Sequence, residues 1–156
     1  MTPAVNYLKK NKITFTLHRY QHDPDHPSYG LEAAEKLNLD PNRVFKTLVV
    51  QVESKELVVA VLPVNKQLNL KSLARLLKVK KIALADAKAV QSATGYVLGG
   101  VSPLAQKKRL RTVVDVAAAS CSTVMVSGGR RGVEIELGPN DLIRLCGAET
   151  GSISTA

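Results

Sequence analysis

Val44-Phe45-Lys46-Thr47-Leu48-Val49-Val50 is the stretch from which the rest of the chain is read. Its β-branched and large apolar residues mark an interior strand. Side chains on a strand alternate between faces, so Lys46 shares one with Val44, Leu48 and Val50. A lysine there contradicts its surroundings, because removing an ammonium from water is costly unless something compensates. Three readings are open. Lys46 snorkels past the sheet edge, pairs with a buried carboxylate, or lines a cleft for an anionic or carbonyl-bearing molecule.

Working outward, Leu57–Val64 is a second apolar strand, and the short charged Ser54-Lys55-Glu56 segment makes the pair a hairpin. On the other side, Asp40-Pro41 caps a short turn, preceded by a helix around Leu31–Leu37. Thr2 and Pro3 open a helix through about Lys10, and Ile13, Phe15 and Leu17 alternate as a half-buried strand ending near Tyr20. His18, His22 and His26 follow at intervals of four, but Pro24 and Pro27 break any helix. Gln21–Ser28 is therefore read as a polar loop and not as a metal site.

Downstream, Leu70, Leu73, Leu76 and Leu77 form a helical core stripe, Lys80–Ala85 a strand, and Asp86 caps a helix from Ala87 to about Ala93. Thr112–Val116, Thr123–Ser127 and Val133–Leu137 are further strands, with the basic turn Ser127–Gly132 between the last two. That turn is either a plain hairpin end or a pocket wall. Pro139 starts a final helix through about Cys146, and the tail after Gly151 is expected to fray. About eight strands and four or five helices, irregularly mixed, predict an α+β fold. No linker or repeat divides residues 1–156, which are read as a single domain.

Hydrophobic residues make up 45% and charged residues 22%, with no run long enough for a membrane span and no signal-peptide pattern at Met1–Val5. Cys121 and Cys146 are isolated, which points to a reduced, cytoplasmic setting without a metal. A net charge of +9 favours an anionic partner such as nucleic acid, with solubility as the alternative. Aromatics are only 4% and Trp is absent, so RNA would be met through phosphates and a pocket, not a stacking platform.

Thr94-Gly95-Tyr96-Val97-Leu98-Gly99-Gly100-Val101-Ser102-Pro103 is the second centre of the chain. It matches neither a P-loop nor a dinucleotide fingerprint. It is either a bulged strand with a turn, or a segment whose N–H groups face a ligand. The densest basic run, Lys107-Lys108-Arg109 with Arg111, follows it. No GxSxG elbow is present, neither cysteine has a local activating pattern, and metal ligands are lacking. What remains is a lysine in an apolar surface, backbone donors and external positive charge. Such a set suits polarising an ester carbonyl without a protein nucleophile.

FKTLVV around Lys46, TGYVLGGVSPLAQKKR from Thr94 to Arg109, and VSGGRRG from Val126 to Gly132 together resemble the YbaK family. TPAVNYLKKNKI, YQHDP at Tyr20–Pro24 and EAAEKLNLDP at Glu32–Pro41 extend the resemblance, in order, over nearly the whole chain. These are free-standing relatives of the editing domain inserted in bacterial prolyl-tRNA synthetases, and within them the Cys-tRNA(Pro)/Cys-tRNA(Cys) deacylases are most similar.

The resemblance implies an α+β domain with a mixed, partly closed, barrel-like sheet flanked by helices. It implies removal of cysteine from the acceptor end of mischarged tRNA(Pro), with prolyl-tRNA synthetase as a partner, without cofactor, metal or membrane. Lys46 would be the central pocket residue, with Tyr20, Thr47, Gly99, Gly100, Val101, Ser127 and Gly128 around the substrate. Lys107, Lys108, Arg109, Arg130 and Arg131 would be candidates for tRNA phosphates. The implied chemistry is substrate-assisted: the cysteine thiol attacks its own ester carbonyl and leaves as a thiolactone. Ala-tRNA(Pro) or another mischarged tRNA as substrate, and a non-catalytic tRNA- or synthetase-binding module, stand as alternatives. Ala105 and Asn38 depart from the glycines common at those positions in relatives, and Glu134, an acid at a variable position, receives no role.

Overall fold

Residues 1–155 are described by the computed structural model. In chain order the helices are α1 (Pro3–Lys10), α2 (Tyr29–Lys36), α3 (Leu70–Leu77), α4 (Ala87–Thr94) and α5 (Pro139–Cys146). The strands are β1 (Phe15–Arg19), β2 (Phe45–Val52), β3 (Leu57–Pro63), β4 (Gln67–Leu68), β5 (Ile82–Leu84), β6 (Arg111–Asp115), β7 (Val124–Ser127), β8 (Val133–Leu137), β9 (Glu149–Gly151) and β10 (Ser154–Thr155).

Polar residues at the helix starts fix where each helix begins. The side chains of Thr2, Ser28, Asn69 and Asp86 each accept from a backbone N–H of the first turn of α1, α2, α3 and α4. Such a cap contributes about 1 kcal/mol. Asp40 does the same for the short 3-10 turn Pro41–Arg43 that delivers the chain into β2.

β2 and β3 pair antiparallel from Phe45 opposite Pro63 to Gln51 opposite Leu57. They are the middle of a five-stranded mixed sheet in the order β5-β2-β3-β6-β9, in which β3–β6 and β6–β9 are parallel. A three-stranded antiparallel sheet, β1-β8-β7, faces it. A single bridge between Val44 and Met125 joins the two, so the expected partly closed sheet is realised as two sheets that meet at one corner without closing.

Both faces of the central hairpin are covered, which is why its strands are apolar almost throughout. Phe45, Val49, Val59 and Val61 pack with Ala4, Val5 and Leu8 of α1 and with Ile135 and Leu137 of β8. Val50, Val52, Val58 and Ala60 pack with Leu73 and Leu77 of α3 and with Ile153. Among the described residues no helix is long and apolar enough to cross a membrane.

Two expectations are corrected. Residues 152–155, expected to fray, are held in place. Ile153 is fully buried, its N–H donates to Asp115 Oδ1 at 2.9 Å, and its carbonyl accepts from Asn69 N at 2.7 Å. Ser154 and Thr155 then pair with Leu68 and Gln67. One buried isoleucine outweighs the polar composition around it. The glycine stretch forms no strand; residues 95–110 are an irregular loop. It is held from inside by Tyr96, 3% exposed, whose hydroxyl donates to the Leu104 carbonyl at 2.7 Å.

Candidate functional site

A cavity of about 380 Å³ opens where the two sheets diverge from the Val44–Met125 corner. β2 supplies Phe45, Lys46, Thr47 and Leu48, and the start of α2 supplies Ser28, Tyr29 and Gly30. Leu98, Gly99 and Val101 come from the glycine loop, and Tyr20, Ser127 and Glu134 from the smaller sheet. Residues far apart in sequence converge because β1, β7 and β8 bring the chain back against β2. Tyr20, Lys46, Thr47, Gly99, Val101 and Ser127 all stand on this one cavity.

Of the three readings of Lys46, the cleft describes its surroundings. Its side chain is half-buried on the cavity wall and its Nζ donates to the Lys66 carbonyl at 2.6 Å. Burial lowers its pKa from the ordinary lysine value. An ammonium carries three donors, so two remain beyond the bond to Lys66. Beside it, the Thr47 Oγ1 is buried with no hydrogen-bond partner among the described residues. A buried hydroxyl left unpaired costs about 1–3 kcal/mol. Burial, and next to it the charge of Glu134, pushes the Tyr20 phenol up to about 12, so its hydroxyl stays protonated as a donor.

Gly99 and Gly100 divide their work. Gly99 has φ +92°, a backbone that strains any side chain, and a Cβ there would stand 3.3 Å from the Tyr29 ring, tight enough to push it by a few tenths of an ångström. Gly100 lies behind the wall. Its N–H donates to Val97 O at 3.0 Å, and a Cβ on it would stand 2.5 Å from Arg130 Cα. The Gly128 N–H is likewise spent, on Val133 O at 2.7 Å. Gly100 and Gly128, expected around the substrate, thus do not line the cavity, and neither N–H is free for a ligand. Local turn and hairpin bonds take them first.

The basic residues separate as well. Lys107, Lys108, Arg109 and Arg130 are exposed. Arg131 is turned inward: its guanidinium bonds Glu32 Oε1 at 3.1 Å and the Asp23 carbonyl at 2.6 Å, and stacks 4.3 Å from the centre of the Tyr29 ring. The expected phosphate contact by Arg131 is thus replaced by a clasp over the cavity rim. The histidines disperse, His18 to Glu136 at 2.8 Å and His26 to Glu35 at 3.0 Å. Among the described residues no three His, Cys, Asp or Glu side chains gather as a metal site.

Sequence reading passed over Glu134 and the exposed apolar pair Tyr29 and Leu98 at the mouth, 47% and 57% exposed. Alternation in Val133-Glu134-Ile135-Glu136-Leu137 signals which face Glu134 takes, but not that a cavity lies over that face.

The model of the aminoacyl-tRNA editing domain family matches residues 25–145. The "Putative Cys-tRNA(Pro)/Cys-tRNA(Cys) deacylase EbsC" of Enterococcus faecalis is 34% identical over 154 residues, covering 99% of this chain and 93% of that protein. The chain belongs to the aminoacyl-tRNA editing domain family. Among solved structures, the editing domain superposes on hypothetical protein APE2540 with a TM-score of 0.87 at 30% identity, covering 98% of this chain and 99% of that one. It also superposes on the "putative trans-editing enzyme for prolyl tRNA synthetase" with a TM-score of 0.81 at 20% identity, over 98% and 93% of the two chains, which shows a shared fold. The resemblance to the YbaK family read from the motifs is borne out by the family match.

Proposed function

We propose that this editing domain removes cysteine from mischarged Cys-tRNA(Pro), and also from Cys-tRNA(Cys), by using the thiol of the substrate as nucleophile. The observation that carries the reading is a lysine-bearing cavity with, among the described residues, no cysteine or histidine on its walls. An acyl ester held there meets donors but no activated protein nucleophile. The name of the 34% identical relative supports the substrate.

Lys46 donates to the ester carbonyl, and the backbone of Gly99 and Val101 fixes the aminoacyl end. The thiolate sulfur attacks the carbonyl carbon, the C–S bond forms as the ester C–O bond breaks, and the thiol proton ends on the ribose oxygen. The thiolactone leaves and tRNA is released uncharged. The domain contributes mainly geometry, an effect that can lower a barrier by roughly 7–11 kcal/mol. The exposed Lys107, Lys108, Arg109 and Arg130 contact the acceptor-stem phosphates, and prolyl-tRNA synthetase delivers the tRNA in the cytoplasm.

Single-turnover release of radiolabelled cysteine from Cys-tRNA(Pro) tests this, with Ala-tRNA(Pro) and Lys46→Ala protein alongside. Cysteine alone is released, and the substitution reduces release to the spontaneous rate while the protein stays folded. Release of alanine instead would move the substrate assignment, and undiminished release by Lys46→Ala would overturn the role of the lysine.

A further inference from the structure

In β8, Val133, Ile135 and Leu137 enter the core, which places Glu134 and Glu136 together on the other face. The two acids have opposite fates. Glu136 is fully provided for: His18 Nε2 lies at 2.8 Å, Thr123 Oγ1 at 2.6 Å and Arg43 Nη2 at 3.2 Å. Glu134 is only 7% exposed and lines the cavity, yet among the described residues no hydrogen bond or ion pair reaches its carboxyl.

Among the described residues, the neighbours that are hydrogen-bonded have their bonds to other groups. His18 lies opposite it on β1 but turns its ring to Glu136. Ser127 lies opposite on β7, its Oγ accepting from Gly129 N at 3.2 Å. Lys46 on β2 is bonded to the Lys66 carbonyl, and on α2 Glu32 holds Arg131. Tyr20, at the end of β1, keeps its proton and adds no charge. Burial alone pushes the Glu134 carboxyl up to about 8, as expected of an acid without a counter-charge.

A carboxyl carried into a cavity without a partner is destabilising unless a bound molecule supplies a cation. Resting on the reading of the site as one for an aminoacyl ester, the candidate cation is the α-ammonium, one carbon from the scissile carbonyl. We propose that Glu134 receives the free α-ammonium group of the aminoacyl substrate. With the carbonyl drawn to Lys46 and the ammonium to Glu134, the aminoacyl group is gripped at two points and its side chain takes the remaining space. The same contact makes the site selective for an unblocked amine. An N-acylated end, as in peptidyl-tRNA, carries no charge for Glu134 and is spared.

The test uses two non-cleavable probes: adenosine amide-linked at its 3′ position to L-cysteine, and the same compound with 3-mercaptopropionate, which lacks only the amine. Binding of each is measured by calorimetry to wild type, Glu134→Gln and Glu134→Asp proteins. Wild type prefers the amine probe by about 10-fold or more, as for a charge-assisted hydrogen bond. The preference collapses to near unity in Glu134→Gln and is partly kept in Glu134→Asp. Equal affinities in wild type, a preference retained by Glu134→Gln, or equal loss of both probes in that variant would overturn the assignment. Release from Cys-tRNA(Pro) by the same wild-type sample separates the two readings: active protein with equal probe affinities removes only the role of Glu134.

Discussion

Replacing Glu32 with glutamine removes one negative charge and nothing else of size, at the point where the cavity rim is fastened. Glu32 is fully buried in the first turn of α2. Its carboxylate accepts from Asp23 N at 2.6 Å and Arg131 Nε at 3.2 Å, with Lys36 Nζ at 3.4 Å. A single group therefore ties the loop before α2, the helix itself and the β7–β8 turn. Removing one partner of a buried pair costs about 3–5 kcal/mol. The lower end applies here, because Arg131 keeps the Asp23 carbonyl and the Tyr29 ring, and Lys36 reaches solvent. At about 2–4 °C per kcal/mol for a chain of this size, a 3 kcal/mol loss lowers Tm by about 6–12 °C.

The pH dependence has a definite sign. Burial alone would raise the Glu32 pKa, but the Asp23 N–H, Arg131 and Lys36 outweigh it and hold the carboxyl below its ordinary value of 4.5. The stabilisation is then complete above the unfolded value and is lost as pH falls through the lower folded one. Urea denaturation of both proteins should show the full gap at neutral pH and a closing gap in acid. A loss below about 1 kcal/mol at neutral pH, the range of exposed pairs, would refute the clasp, as would a gap that ignores pH.

Two smaller substitutions probe strain and satisfaction. Ala105 sits at φ +55°, where a Cβ crowds the carbonyl, so Ala105→Gly should stabilise the domain by about 1 kcal/mol in urea denaturation, and a loss would contradict this. Thr47→Val removes the unpaired buried hydroxyl; stability should hold or rise by about 1 kcal/mol while cysteine release slows, and a loss of stability would mean the hydroxyl is bonded after all.

Local chemistry made the elements legible. Thr2-Pro3, Asp40-Pro41, Asp86 and Pro139 mark their helix or turn starts because caps and proline act within one turn. Lys46 was legible as out of place in an apolar strand, though the strand alone left snorkelling, pairing and a cleft open. Sheet partners were hidden, since β3 binds β6 in parallel across a long crossover and nothing local selects that pairing. Glu134 and Arg131 were hidden for a related reason. A charged residue in a strand or turn reads as solvent-facing until another part of the chain is known to cover it. The backbone is left-handed at Asn38 and Ala105, φ +54° and +55°, a conformation that glycine adopts without strain.

The pairing of β1 with β8 has a consequence for the order in which the protein comes into being. His18 and Glu136 are 118 positions apart, and Phe15 binds Leu137. On the ribosome the first strand must wait, unpaired, until the chain has emerged through Leu137. Tyr20 and Glu134 reach the same cavity only through that late union. A nascent chain therefore has no partly assembled cavity before β8 has emerged and paired with β1.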